Sequence, residues 1–391
     1  MTANRCLTYV SVSHVGAGWV QGCVSILEAF PRDVLRPTLV LPRTFRPIAP
    51  TVNVTEALPR PLPLRYASSF VQPALSYRFR RALSTADPQK TIAYFWPTAP
   101  TSLVRHARKL GFLTVREMIN PTSRTTKTIL DEAYDRLDLQ GSERRQITDE
   151  KITDQQNELQ LFDYIVSCNA RVEASLIEGG VESQRILRSS FGWSPARLAR
   201  SSGEQNRQGF RALFVGGETV RKGVPQLIAA WRKSGVVGEL LIVGDIQASI
   251  RSLLAPDLEK SDIRLIKYES DLGSLYKSAD VFVFPSLAEG DPQVTYEAAG
   301  CGLPVIATPM GSAQIIRDGV NGLVVGPYDI DGLAEAISRL ARSPELRRRL
   351  GQQAAKDALD FTYDKIGKRR AAILSGLLPA CTGRAAAANG A

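Results

Sequence analysis

The stretch LAEGDPQVTYEAAGCGLPVIAT, residues 287–308, decides how the rest of the chain is read. It follows VFVFPS (281–286), an unbroken apolar, aromatic and β-branched run of the kind found in strands buried on both faces. Asp291-Pro292 then reads as a helix start. Aspartate would be the N-cap and proline the first helical residue, where its fixed φ costs nothing. The helix runs PQVTYEAAGC and stops at Gly302, and beyond Pro304 the apolar run PVIAT opens another strand. Strand, helix and strand in close succession are the repeating element of α/β proteins with parallel sheets.

The same alternation extends in both directions. Before the central region the expected strands are CLTYVSV, PTLVLP, TIAYFW, FLTVREMI, DYIVSC and RILRSS. From residue 211 they are RALFVGG, ELLIVGD, IRLIKYE, VFVFPS, PVIAT and GLVVG. Between the two series lies GWSPARLARSSGEQNRQG (192–209), polar and poor in large apolar residues, which reads as a linker. The expected organisation is an N-terminal Rossmann-like domain over residues 1–192, a linker over 193–209 and a C-terminal domain over 210–360. A crossover helix over 361–378 would rejoin the first domain, and 379–391 would be a frayed tail. Two doubly wound halves would place a ligand cleft between them, outside the C-terminal ends of the strands.

Bulk properties narrow the partners. The chain's 391 residues suffice for two domains with full cores. It has no run of about 18 apolar residues and no secretory leader pattern. Its five cysteines, Cys6, Cys23, Cys168, Cys301 and Cys381, lack C-x-x-C spacing, which argues against a disulfide framework or a zinc site and for a reducing cytoplasm. Residues 1–120 hold 15 Lys and Arg against 5 Asp and Glu, while residues 121–391 hold 34 of each sign. The net charge of +10 therefore belongs to the first part of the chain, which suits an anionic membrane face or a phosphorylated substrate. No zinc-finger, RNP or helix-turn-helix signature supports nucleic acid. YASSFVQPALSYRFRRALSTA interleaves Phe70, Leu75, Phe79 and Leu83 with Arg78, Arg80 and Arg81. It reads either as a membrane-facing amphipathic helix or as a domain helix with a basic outer face.

Two carboxylates in the opening stretch are candidates for ligand contact. Glu289 falls on the loop at the helix mouth and Glu297 inside the helix. Eight helical residues would span about 12 Å, roughly a nucleotide sugar from hexose to ribose. Carboxylates accept hydrogen bonds from vicinal hydroxyls, and the helix N-terminus between them suits a diphosphate. The competing reading is a solvated helix face. Lys222 lies between a strand end and a helix start, where a cation aids phosphate binding, although RKG alone also describes a solvated turn. SHVGAGWVQG places Gly16, Gly18 and Gly22 one residue off the dinucleotide fingerprint, so NAD is not expected. The D-x-D of YDIDG is better explained by Asp331 capping the next helix than by a metal.

EGDPQVTYEAAGCGLPVIAT resembles the E-G-x-P-x-V-x-x-E-A-x-x-C-G-x-P-V-I signature of family 4 retaining glycosyltransferases, which have the GT-B fold. LFVGGETVRKGVPQLIAAW and AQIIRDGVNGLVVGPYDIDGLAEAI resemble that family's flanking segments, so that the likeness covers roughly residues 210–360. The resemblance implies transfer of a sugar from a UDP- or GDP-type donor to a carbohydrate, lipid-linked or other hydroxyl acceptor, with retention and without a metal or other cofactor. It places Glu289 on the donor sugar and Glu297 on the ribose. Gly290, Asp291, Pro292, Gln293 and Val294 would line the sugar and diphosphate, and Lys222 would neutralise the phosphates. Gly216 and Gly217 form the turn after the strand; Gly217 stands where the family often has arginine, and Arg221 is the substitute. Gln314 replaces a customary glutamate. Gly16 and Gly18 resemble the family's glycine loop. His14, Arg116, Glu117 and Asn120 are candidates on the acceptor side. The alternatives are a non-catalytic nucleotide-sugar-binding partner and a sugar-nucleotide epimerase. The expected location is cytoplasmic and peripheral to the inner membrane face.

Overall fold

A computed structural model describes residues 4–16, 18–58, 68–139, 147–199, 209–217 and 219–379. Cys381, most of the expected linker and nearly all of the expected tail lie outside these residues. The first strands are β1 (Arg5–Tyr9), β2 (Arg36–Leu41), β3 (Asn53–Glu56), β4 (Thr91–Phe95), β5 (Leu113–Glu117), β6 (Tyr164–Ser167) and β7 (Ile186–Arg188). They form one sheet in the order β3-β2-β1-β4-β5-β6-β7. β8 (Phe210–Val215), β9 (Gly238–Val243), β10 (Ile263–Ile266), β11 (Val281–Phe284), β12 (Val305–Ala307) and β13 (Gly322–Val324) form a second, ordered β10-β9-β8-β11-β12-β13. The paired strands run parallel, with Phe282 facing Val305 and Phe284 facing Ala307 across β11 and β12. Each order reverses direction after its first-formed strand, the doubly wound arrangement that leaves a crevice at the strands' C-terminal ends.

Each strand expected from its apolar run is present. β3 is an addition: it is four residues long, at a sheet edge, with Asn53 and Val54 exposed. An edge strand open to water needs no apolar run, so none marks it in the sequence.

The chain divides into two compact units, Met1–Glu117 with Gln160–Val166 and Gly367–Ala391, and Met118–Leu159 with Ser167–Ile366. In the first, the helix Ser68–Ser84 turns Leu75, Phe79 and Leu83 inward, and Phe79 meets Tyr9 edge-on at 5.4 Å. The spacing of four residues puts these three on one helical face. Phe70 lies off it and is 66% exposed. A Cβ on Gly367 would stand 2.5 Å from that of Ala29, so the terminal helix Tyr363–Ser375 lies close on the helix Gly18–Glu28.

In the second unit the central strands β8 and β11 are buried throughout and carry the core with Leu227, Trp231, Tyr276 and Tyr296. Residues 193–199 of the expected linker are docked here. Trp193 Nε1 donates to the Ala358 carbonyl at 2.8 Å, its ring fills the space a side chain on Gly300 would take, and Leu198 is buried.

Candidate functional site

The loops after β8 and β11 come together because those strands are neighbours. Arg221 Nη1 lies 3.2 Å and Lys222 Nζ 3.8 Å from Glu289 Oε1, and Ser286 Oγ is 3.2 Å from the same oxygen. Glu289 is only 7% exposed, so this carboxylate has two cations and a hydroxyl in place of most of its water. Arg221 also donates to the Ala288 carbonyl, and the Leu287 amide donates to the Arg221 carbonyl at 2.8 Å. Lys222 folds over Gly216, where a Cβ would lie 2.7 Å from its Cδ, and its ammonium sits 5.4 Å above the Phe284 ring. Gly217 faces open space. Gly223 follows in the left-handed conformation, φ 73°, with a would-be Cβ 2.1 Å from the Pro285 carbonyl oxygen. Glycine there is a steric requirement of the lysine-glycine step.

The helix after Glu289 is Gln293–Gly300, with Pro292 as N-cap and no side-chain cap. This corrects the expectation that Asp291 caps it. The Asp291 carboxylate turns the other way and accepts from the Phe191 amide at 2.6 Å and the Tyr296 hydroxyl at 2.8 Å. The segment 191–199 is thereby tied to the helix start, while no capping side chain covers the first helical amides, those of Gln293 and Val294. An uncapped helix start keeps its donors and its positive dipole end for an anion. The helix ends as expected: Gly302 is left-handed at φ 82°, and Gly302 and Leu303 donate back to Ala299 and Ala298. A similar correction holds at YDIDG, where Asp329 caps the helix Ile330–Arg342 and Asp331 pairs with Lys233.

Glu297 lies inside the helix and is 4% exposed. Arg197 Nη1 donates to its Oε1 at 3.0 Å and the Tyr276 hydroxyl to its Oε2 at 3.1 Å. Burial pushes this carboxyl above the usual carboxylate range, and Arg197 and Tyr276 pull it back. A solvated helix face is therefore excluded for Glu297. Gly290 is packed against the segment after β5: a Cβ there would be 1.9 Å from the Ile119 carbonyl oxygen and 3.0 Å from the Asn120 nitrogen. Its own carbonyl accepts from the Asn169 side chain. The second unit thus gathers Lys222, Arg221, Glu289, Gly290, Glu297 and Asn120. Arg197, Tyr276 and Asn169 complete the set, and no motif marked Arg197 or Tyr276.

In the first unit His14 is 1% exposed, with Nε2 2.9 Å from Gln21 Oε1. Gly16 and Gly18 are left-handed at φ 82° and 64°, Gly18 opening the helix Gly18–Glu28. Arg116 is buried with its guanidinium 5.6 Å from the Phe162 ring centroid. Glu117 is fully enclosed: Arg370 Nη1 donates to it at 2.7 Å, and the Tyr94 hydroxyl also donates. Burial raises this carboxyl above its ordinary value, against the pull of Arg370. A carboxylate sealed this way holds the terminal helix to β5 and has no surface for an acceptor. Among the described residues no group of three or more His, Cys, Asp or Glu is arranged to hold a metal ion, and no helix is long and apolar enough to cross a membrane.

Residues 209–343, which include Lys222, Glu289 and Glu297, match the family described as glycosyl transferases group 1. Over 156 residues the chain is 31% identical to an uncharacterized glycosyltransferase of Methanocaldococcus jannaschii, covering 39% of this chain and 44% of the relative. Over 213 residues it is 32% identical to the D-inositol 3-phosphate glycosyltransferase of Salinispora arenicola, covering 50% and 47%. The chain thus spans less than half the length of these relatives. Among solved structures, HepE of Anabaena in complex with UDP and glucose aligns with a TM-score of 0.69 at 16% identity, over 95% of this chain and 100% of that one, a likeness of fold. Residues 209–343 are thus similar to the group 1 glycosyltransferases, and the two doubly wound parallel sheets have the GT-B fold.

Proposed function

We propose that this chain transfers a sugar from a nucleotide-diphosphate donor of UDP or GDP type to a carbohydrate, lipid-linked or other hydroxyl acceptor, with retention of anomeric configuration. The observation that carries the reading is the convergence of Arg221 and Lys222 on Glu289, beside a helix start that no side chain caps. In this reading Glu289 orients the donor sugar and Glu297 the ribose. The amides of Gln293 and Val294, with Lys222 and Arg221, receive the diphosphate. Gly290 and Gly216 let backbone and lysine approach closely, and Pro292 fixes the turn. Rate enhancement then comes from positioning and from stabilising charge on the departing diphosphate. Because protein cations and helix amides supply that charge, we expect EDTA to leave turnover unchanged.

The UDP and glucose in the HepE structure and the phosphorylated inositol in the relative's name agree with a nucleotide-sugar donor and a polyhydroxyl acceptor. Residues 210–360 would be the donor domain, and residues 1–192 with the crossover helix 361–378 the acceptor side. Asn120, His14, Gly16 and Gly18 are retained as acceptor-side residues, and Glu117 is not. Exposed Phe70 and Tyr77, on the helix that carries Arg78 and Arg81, favour acceptor delivery from an anionic membrane surface. The test is turnover of UDP- and GDP-sugars with and without hydroxyl acceptors. Transfer to an acceptor supports the proposal. Tight donor binding without turnover would point to a binding partner, and a changed sugar with donor alone would point to an epimerase.

A further inference from the structure

Glu297 is the most deeply placed carboxylate of the candidate donor site, and its immediate cation comes from outside the matched family region. Arg197 stands on the short helix Pro195–Leu198, before β8 and 100 positions from Glu297. We propose that Arg197 is a positioning residue for the donor, holding Glu297 in the orientation that receives the nucleotide's ribose hydroxyls. The proposal rests on the reading of Glu297 given above.

Three observations carry it. First, the segment is anchored rather than loose. Ser194 accepts from the Arg197 amide at 3.3 Å, Leu198 and Trp193 are buried, and the Ala199 carbonyl accepts from Lys277 Nζ at 3.3 Å. Second, the pair is asymmetric. The Arg197 side chain is 41% exposed and that of Glu297 5%, so the cation reaches inward from the surface to a carboxylate that has little water. Third, Arg197 and Tyr276 occupy separate oxygens. A carboxylate has about four acceptor positions, so two donors fix its plane and leave acceptor capacity for vicinal hydroxyls. The other titratable neighbours are Tyr363 from the terminal helix, Cys301 one turn along and Lys277 beside Cys301. Arg197 is the cation paired directly with Glu297, so its loss would strip the carboxylate of that partner. A buried carboxylate without a cation takes up a proton at higher pH.

The test is calorimetric titration of UDP and of GDP into the full chain from about pH 6 to pH 9, for the unaltered protein, Arg197→Gln, Arg197→Lys, Glu297→Gln and the Arg197→Gln/Glu297→Gln double variant. Arg197 is exposed enough for the single changes to leave the fold intact, which melting curves verify. We expect R197Q to weaken nucleotide binding at least tenfold at the acid end and to recover as pH rises. R197K should restore most of the affinity, E297Q should be weak at every pH, and the double variant no weaker than E297Q. An R197Q profile superimposing on that of the unaltered protein would overturn the proposal, as would a loss independent of pH and additive with E297Q. Absence of binding by the unaltered protein overturns the donor-site reading itself, a result distinct from either of these.

Discussion

A side chain at Gly290 has nowhere to go, because its Cβ would stand 1.9 Å from the Ile119 carbonyl oxygen. Gly290→Ala must therefore displace one of two loops that hold candidate residues. We expect it to cost about 1–3 kcal/mol of stability, as overpacking does, and to lower turnover more than donor affinity. Denaturant titration with steady-state kinetics checks both. Glu289 and Glu297 stood out as candidates because they bracket a helix start within a stretch that resembles a glycosyltransferase signature; their spacing alone left a solvated helix face open. What each touches was not legible. Arg197 and Tyr276 reach Glu297 from 100 and 21 positions away, and nothing local to the helix announces such partners. Asp291 shows the limit differently. Aspartate before proline satisfies the local rule for a cap, yet here its carboxylate bonds the Phe191 amide and Tyr296, so tertiary partners overrode local capping.

At the level of elements, the parallel strands were legible because burial on both faces demands continuous apolar runs. The edge strand β3 carries no such demand and left no trace. The segment 193–199 read as linker because it is short and polar, but its two large apolar residues, Trp193 and Leu198, are the ones that dock it. One joint between elements gives a pH prediction. Asp262, just before β10, bonds Arg232 at 2.7 Å and Trp231 Nε1 at 2.9 Å, on the helix Val224–Ser234. The Arg232 hydrogen bond holds its carboxyl below the usual range, and the Trp231 bond adds to this. A depressed folded value means stability is present above the unfolded carboxylate value and is lost as pH falls through the folded one. Asp262→Asn should lower stability at neutral pH and flatten that acid-side decline. Denaturation midpoints from neutral to acid pH would check this, and parallel curves for the two proteins would contradict it.

Across the whole chain, the first unit is closed by a buried ion pair that composition cannot reveal. Arg370, on the terminal helix, meets Glu117 on β5 and the Tyr94 hydroxyl on β4, all fully buried. Removing one partner leaves a buried charge, so Arg370→Met should cost about 3–5 kcal/mol, and adding Glu117→Gln should recover part of that loss. Equilibrium unfolding of the two variants measures it. The basic first 120 residues lead to a second expectation: anionic liposomes should co-sediment the protein at low salt and release it as salt rises. The fold and the candidate donor residues were legible because they rest on local motifs between residues 210 and 326. Candidates for the acceptor side were less legible, because they are scattered and Glu117, one of them, is internal. The most direct measurement is calorimetric binding of UDP- and GDP-sugars to the unaltered protein, Lys222→Ala and Glu297→Ala. Saturable binding of at least one donor is expected, weakened at least tenfold by each change while a cooperative melt is retained. Binding of equal strength in all three proteins would contradict it.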